Sequence, residues 1–333
     1  MIKLDISNLD KIAESYFWQI KQKDRRKTDN IRRYYIEHLR DFVLCDLSEM
    51  EAKSREFRTL FAAEINEAER CYQEFEVYKN NDANKANITL YRSTCKALKE
   101  AWENTLYCKF RFYMENQYNT CFQELIKYNL ADKSTYNNQD KIGVWLAKRL
   151  DVKTCPYCNR IYTFTVCSKD RSIRPEFDHF YPKSEYPYFA LSFFNLVPSC
   201  PICNHVKGIT FIDYHPYIEG FDDKFKFYID EEELRKREIR EIKFTNDTNR
   251  NIDCFLLKDL YNEHLDYINE IVYKQAAYTD DNIQNIMDSF QGMGIKDDIY
   301  SYIWGCYQDT ALHIKRPLSK LTKDILDQIK SLD

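Results

Sequence analysis

Glycine and proline are scarce, at 6 and 8 of 333 residues. So few backbone breakers exclude a loop-rich or collagen-like chain and favour long helices. No apolar run approaches the roughly 18 residues of a membrane helix, so an integral helical membrane protein is not expected. The opening Met1-Ile2-Lys3-Leu4-Asp5 lacks the apolar core of a secretory signal. Net charge is also small, −4, which speaks against a protein held to nucleic acid by bulk charge alone. The balance is uneven, however: +3 over residues 1–150, +1 over 151–216 and −8 over 217–333. Acidity is concentrated at the C-terminal end, away from the central segment.

What is present is a chain that can bury a core. Hydrophobic residues make up 44%, charged residues 31% and aromatics 15%, with 26 Tyr and 21 Phe. The length suits one large or two ordinary domains. Twelve cysteines are spread through helical patterns, and only four are paired at ligand spacing. Cys45, Cys71, Cys95, Cys108 and Cys121 read as small apolar side chains rather than disulfide partners. A reducing, cytoplasmic setting follows.

Residues 1–150 read as a helical N-terminal region, a scaffold or a partner- or nucleic-acid-binding element. Leu9, Ile12, Tyr16 and Ile20 recur at helical spacing, as do Ile31, Tyr35, Leu39 and Phe42. A longer stripe runs through Phe57, Leu60, Phe61, Ile65, Ala68, Tyr72 and Phe75, and another through Leu98, Trp102, Leu106 and Phe112 or Tyr113. Between them lies the break Asn80-Asn81-Asp82-Ala83-Asn84. A polar loop over Asp132–Asp140 precedes a short helix, Ile142–Leu150. Residues 151–220 form a proline- and cysteine-containing module, with alternation over Ile161–Val166. Residues 221–333 read as a short hairpin (Phe225–Ile229 with Glu241–Phe244) plus a helical C-terminal region broken at Gln291-Gly292-Met293-Gly294. The fold class expected is α+β: a mainly helical chain with a small central insert.

The chemistry sits in that insert. Cys155-Pro-Tyr-Cys158 and Cys200-Pro-Ile-Cys203 are two Cys-x-x-Cys turns, each followed by Asn. A lone pair of this kind reads as redox; two together suit one tetrahedral zinc with two ligands from each turn. The ion would be structural, because so short and polar a segment buries little surface. Between the turns lies Asp178-His179. Neighbours on a strand face opposite ways, so one side chain can serve a metal and the other a water, whose proton a neutral imidazole can accept. Ser199 reads as the cap of a helix with Pro201 in its first turn. Asn204 then lies in the opening turns, and Lys207 shares its face, placed to meet a phosphate. His205 points about 100° away and is left out. His215 reads equally as a neighbour of the site and as a structural hydrogen-bonding residue. The run Lys21–Lys27 with Arg32-Arg33 reads as a solvated face more readily than as a backbone contact to DNA.

Asp178-His179, Asn195 and Cys200-x-x-Cys203-Asn204-x-x-Lys207 resemble the HNH endonuclease motif, a ββα-metal fold. The longer string is similar to the HNH proteins of retron-associated and Septu-type anti-phage defence systems, whose usual companion is an ATPase. It runs from Cys155 through Asp178-His179-Phe180-Tyr181-Pro182-Lys183-Ser184 and Asn195-Leu196-Val197-Pro198-Ser199-Cys200. His215-Pro216-Tyr217 resembles the closing element of that module, and the match spans about residues 153–220.

The resemblance implies His179 as general base, Asp178 as a ligand of a catalytic cation and Asn195 as the holder of the histidine loop. Asn204 stands where many members carry a final His, and is implied as the second protein ligand. Two oxygen donors favour Mg²⁺, with Mn²⁺ as substitute. The expected function is metal-dependent hydrolysis of DNA phosphodiesters by a defence effector with a partner ATPase. RNA is the alternative substrate, and a non-catalytic zinc-organised adaptor the alternative class.

Overall fold

The computed structural model describes residues 2–20, 29–123, 142–168, 171–221, 224–246, 248–289 and 299–332. The basic run Lys21–Lys27, the Asp132–Asp140 loop and the Gln291–Gly294 break lie outside them. The fold is α+β and mainly helical, with small two-stranded sheets. Among the described residues no helix is long and apolar enough to cross a membrane.

The chain divides into two compact units, and the division does not follow the sequence boundaries at 150 and 220. One unit comprises Asn8–Leu146 and Tyr181–Leu196; the other comprises Met1–Ser7, Ala147–Phe180 and Val197–Asp333.

The first unit is helical. Its elements are α1 (Leu9–Ile20), α2 (Asn30–Glu37), α3 (Leu39–Val43), α4 (Leu47–Leu60), α5 (Ala62–Asn80), α6 (Ile88–Glu103) and α7 (Leu106–Gln123), with α8 (Ile142–Leu150) leaving it. Short polar residues start several of them, as cap chemistry requires. The side chains of Asp29, Asp46 and Asn87 accept from the N–H groups of Arg32, Ser48 and Leu90. Two apolar stripes expected as continuous helices are broken, one at Phe61 and one at Asn104-Thr105. Leu60 and Tyr72, two members of the first stripe, are exposed.

The Phe61 break serves an aromatic core. The Phe61 ring lies 4.9 Å from Phe57 and 5.4 Å from Tyr34. Phe57 in turn meets Phe110 at 5.7 Å and Tyr188 at 4.3 Å. Rings at these separations add to ordinary area burial. Tyr188 comes from the 181–196 segment, and its hydroxyl shares a buried 2.8 Å hydrogen bond with Ser54 Oγ.

The second unit carries the cysteine turns. A ribbon of β1 (Val166–Cys167) and β2 (Ser172–Ile173) leads into β3 (Glu176–His179), which pairs with β4 (Leu196–Ser199). Helix α9 (Pro201–Lys207) follows at once and packs on β3. The hairpin expected near residues 225–244 is present as β5 (Phe227–Tyr228) and β6 (Lys243–Phe244), antiparallel with Phe227 opposite Phe244. The charged insertion between them is helix α10 (Glu231–Lys236). Helices α11 (Arg250–Cys254), α12 (Leu257–Asn262), α13 (Leu265–Ala277), α14 (Asp280–Ser289), α15 (Ile299–Trp304) and α16 (Ser319–Leu332) complete the unit. Helix α16 fastens the hairpin: Asp324 accepts from Phe227 N at 3.0 Å, and Gln328 bonds both backbone groups of Ile229.

Candidate functional site

The two cysteine turns come together. The four sulfurs of Cys155, Cys158, Cys200 and Cys203 are buried and lie within 4.8 Å of one another. A zinc ion about 2.3 Å from each of four thiolates needs sulfurs roughly 3.8 Å apart, so the quartet can hold one tetrahedral zinc. Each turn also aims an N–H at a sulfur: Cys203 N donates to Cys200 Sγ at 3.4 Å, and Arg160 N donates to the Cys158 thiolate. Burial pushes the Cys155 thiol up, while hydrogen bonds from neighbouring thiols pull Cys158 down. Four thiolates this close repel one another, and a divalent cation is what stabilises them together.

Local sequence builds the first turn. Asn159 has φ of 46°, a left-handed conformation that Asn tolerates, and its N–H closes the turn on Cys155 O at 2.8 Å. Its side chain then reaches the end of the chain, donating to His313 O at 3.0 Å and accepting from Lys320 N. Tyr261 Oη donates to Cys158 O at 2.6 Å. The second turn opens α9, whose cap is Cys200 rather than Ser199. Ser199 ends β4, with its hydroxyl buried and, among the described residues, without a hydrogen-bond partner. Pro201 does stand in the first turn, and Gly208 (φ 48°) ends the helix.

Strand alternation sorts β3. Glu176 and Asp178 share one face, and that face meets α9. Asn204 Nδ2 donates to Glu176 Oε2 at 2.6 Å. One helical turn on, Lys207 Nζ lies 3.2 Å from Asp178 Oδ2 and 3.3 Å from Oδ1, and donates to His179 O at 2.8 Å. Tyr157 Oη donates to Asp178 Oδ2 at 2.6 Å. Asp178 is 2% exposed and Lys207 1%. Burial lifts the Asp178 carboxyl above its ordinary range, with Lys207 and the Tyr157 hydroxyl opposing that shift.

The expectation that Lys207 meets a phosphate is therefore corrected. Asn204 and Lys207 do share a helix face, but that face is turned onto β3, and the ammonium is consumed by a buried carboxylate and a carbonyl. Asp178 and Asn204 both lie along this β3–α9 seam, yet each is held by another partner, Lys207 with Tyr157 in one case and Glu176 in the other. Their oxygens suit a hard cation in chemistry. As folded, Lys207 already neutralises Asp178.

His179, 9% exposed, ends β3 on the alternate face from Asp178. Asn195 is fully buried in the helical unit. Its Oδ1 accepts from Tyr181 N at 2.7 Å, and its Nδ2 donates to Tyr181 O and Phe189 O, both at 3.0 Å. It thus grips the backbone two residues past His179 in sequence. His215 is a packing residue: its ring meets Phe180 at 4.3 Å, and its Nδ1 accepts from Tyr217 N. His205 is exposed on α9. Of the two arginines read with the basic run, Arg32 pairs with Asp29 at 3.1 Å and covers Tyr113, while Arg33 is exposed.

Sequence reasoning did not single out Tyr157 or Glu176. The period of two along Glu176-Phe177-Asp178 was the available signal for Glu176. Tyr157 sits between the ligands of the first turn, where its contact with Asp178 depends on how that turn docks. Comparison of the chain with known protein families, with curated proteins and with solved structures finds no match.

Proposed function

We propose that the protein is a metal-dependent endonuclease of the HNH type, acting on DNA as the nuclease effector of an anti-phage defence system. The observation that carries this reading is the joining of the cysteine quartet to the β3–α9 seam. Two turns that suit one structural zinc fasten a strand bearing Asp178-His179 to a helix bearing Asn204. The order β3, β4, α9 is that of a ββα unit, which supports the ββα-metal reading. The defence context, the partner ATPase and the choice of DNA over RNA rest on the sequence resemblance.

In this reading His179 accepts the proton of the attacking water. Lys207 holds the strand at both Asp178 and the His179 carbonyl, which fixes the backbone from which the imidazole projects. Asn195 fixes the backbone just beyond. Asp178 and Asn204 are the residues that would hold Mg²⁺ or Mn²⁺, and the ion, when bound, neutralises the scissile phosphate and stabilises the leaving oxygen. Lys207 is the buried counter-charge of that carboxylate, so a divalent cation at Asp178 would have to compete with it.

The test is plasmid cleavage with Mg²⁺ or Mn²⁺ by wild type and His179→Ala, both loaded with zinc. Loss of the base should lower the rate by about 10² to 10⁴. Equal rates in the two proteins, or inertness of both on DNA and RNA with the partner supplied, would overturn the reading. Competition between labelled DNA and RNA decides the substrate.

A further inference from the structure

We propose that the ribbon preceding the histidine strand binds unpaired nucleotides through an exposed aromatic stack. The proposal deepens the nuclease reading by naming the state of its substrate. Along residues 162–166 burial alternates: Thr163 is buried and bonded to Lys153 O and Val152 O, while Tyr162, Phe164 and Val166 face outward. Tyr162 and Phe164, 48% and 45% exposed, stack on each other with centroids 4.5 Å apart and planes 18° from parallel. Val166 pairs across the ribbon with Ile173, itself 72% exposed.

Rings of this size normally close a core. Here they stand outward just before the ribbon, on a segment anchored from behind by Thr163 and by the bridge between Thr154 and Tyr162.

The charge on the same segment selects the occupant. Residues 160–175 carry Arg160, Lys169, Arg171 and Arg174 against one carboxylate, Asp170, a net of +3. Arg160 is fixed on His264, Arg174 over the Phe177 ring, and Arg171 is exposed. A flat π-surface among cations suits bases stacked on rings with phosphates on guanidiniums, the recognition used for single strands. A duplex keeps its bases stacked inside and offers the rings nothing but its edges. The position is apt: β2 runs into β3 after two residues, so Ile173 lies within about 20 Å of His179 along the chain.

The measurement is fluorescence anisotropy of the full zinc-loaded chain with labelled strands of about 20 nucleotides: DNA, RNA, and the DNA duplex. A His179→Ala background keeps the probe intact. Tyr162→Ala and Phe164→Ala should each weaken single-strand binding about tenfold, and Phe164→Trp should preserve it. Arg171→Gln should lower the slope of log affinity against log salt by about 0.7. Because both rings are exposed, zinc content and circular dichroism should not change. Single-strand affinity indifferent to both alanine substitutions, or duplex bound as tightly as single strand, overturns the proposal. So does self-association that is lost in Tyr162→Ala while nucleic-acid binding stays constant, because it gives the face to a protein partner. A cleavage-inert protein whose binding still depends on the rings sinks the nuclease reading and not this one. An active nuclease indifferent to the rings does the reverse.

Discussion

Replacing Lys207 by Met keeps most of the stem and removes the charge. In the wild type the ammonium touches both Asp178 oxygens and the His179 carbonyl, with the two side chains 0% and 3% exposed. The variant leaves a buried carboxylate with the Tyr157 hydroxyl as its remaining hydrogen-bond donor. Removing one member of a buried ion pair costs about 3–5 kcal/mol, because the other is left uncompensated. The lost bond to the His179 carbonyl accounts for about 1 kcal/mol of that. Asp178→Asn strands the ammonium instead and should cost a comparable amount. The double variant removes both charges, so its cost should fall short of the sum by roughly 2 kcal/mol or more. Urea unfolding of zinc-loaded protein, followed by far-ultraviolet circular dichroism, measures all four corners of the cycle. A Lys207→Met cost below about 1 kcal/mol, or additivity of the two single variants, would refute the buried-strut argument. A phosphate-binding lysine would behave oppositely, with stability unchanged and substrate affinity reduced.

Purified protein should carry about one zinc per chain, and Cys200→Ser should lose it together with the fold of the second unit, since binding of a structural zinc is worth about 10–16 kcal/mol; metal analysis and circular dichroism report both. His313 is buried, and burial together with Lys320 and Lys323 holds its pKa down at about 4, below the ordinary 6.5. Above 6.5 it is neutral folded or unfolded; between 6.5 and 4 the unfolded chain binds the extra proton, so stability should fall on acidification through that window by up to about 3 kcal/mol. His313→Phe should flatten this part of the stability–pH curve. Phe57→Ala, which empties the centre of the aromatic core in the helical unit, should destabilise that unit by about 3–5 kcal/mol in denaturant titration.

The cysteine quartet was legible because its information is local: a two-residue spacing puts two thiolates on one turn, and the pairing of turns follows from the ion's demand for four ligands. Helix existence was legible for the same reason. Helix ends were legible at Asn80, where a polar run follows, and at Leu150, but not at Phe61. The stripe through Phe57, Leu60 and Phe61 carries no glycine or proline, and the turn at Phe61 answers to rings that arrive from Tyr34 and Phe57. The assignment of residues 181–196 to the helical unit depends likewise on Tyr188 meeting Phe57 and Ser54, contacts between positions more than 120 apart.

Lys207 shows the limit most sharply. Helical spacing correctly put it on the face of Asn204, but periodicity names faces without saying what lies against them. That depends on β3, whose own alternation puts Glu176 opposite Asn204 and Asp178 opposite Lys207, two carboxylates matched to an amide and an ammonium across one seam. Read as two periodic lattices in contact, the same residues change meaning. A lysine that looks like a surface hand for phosphate becomes the internal counter-charge of Asp178, and any divalent cation drawn to that carboxylate has to compete with it.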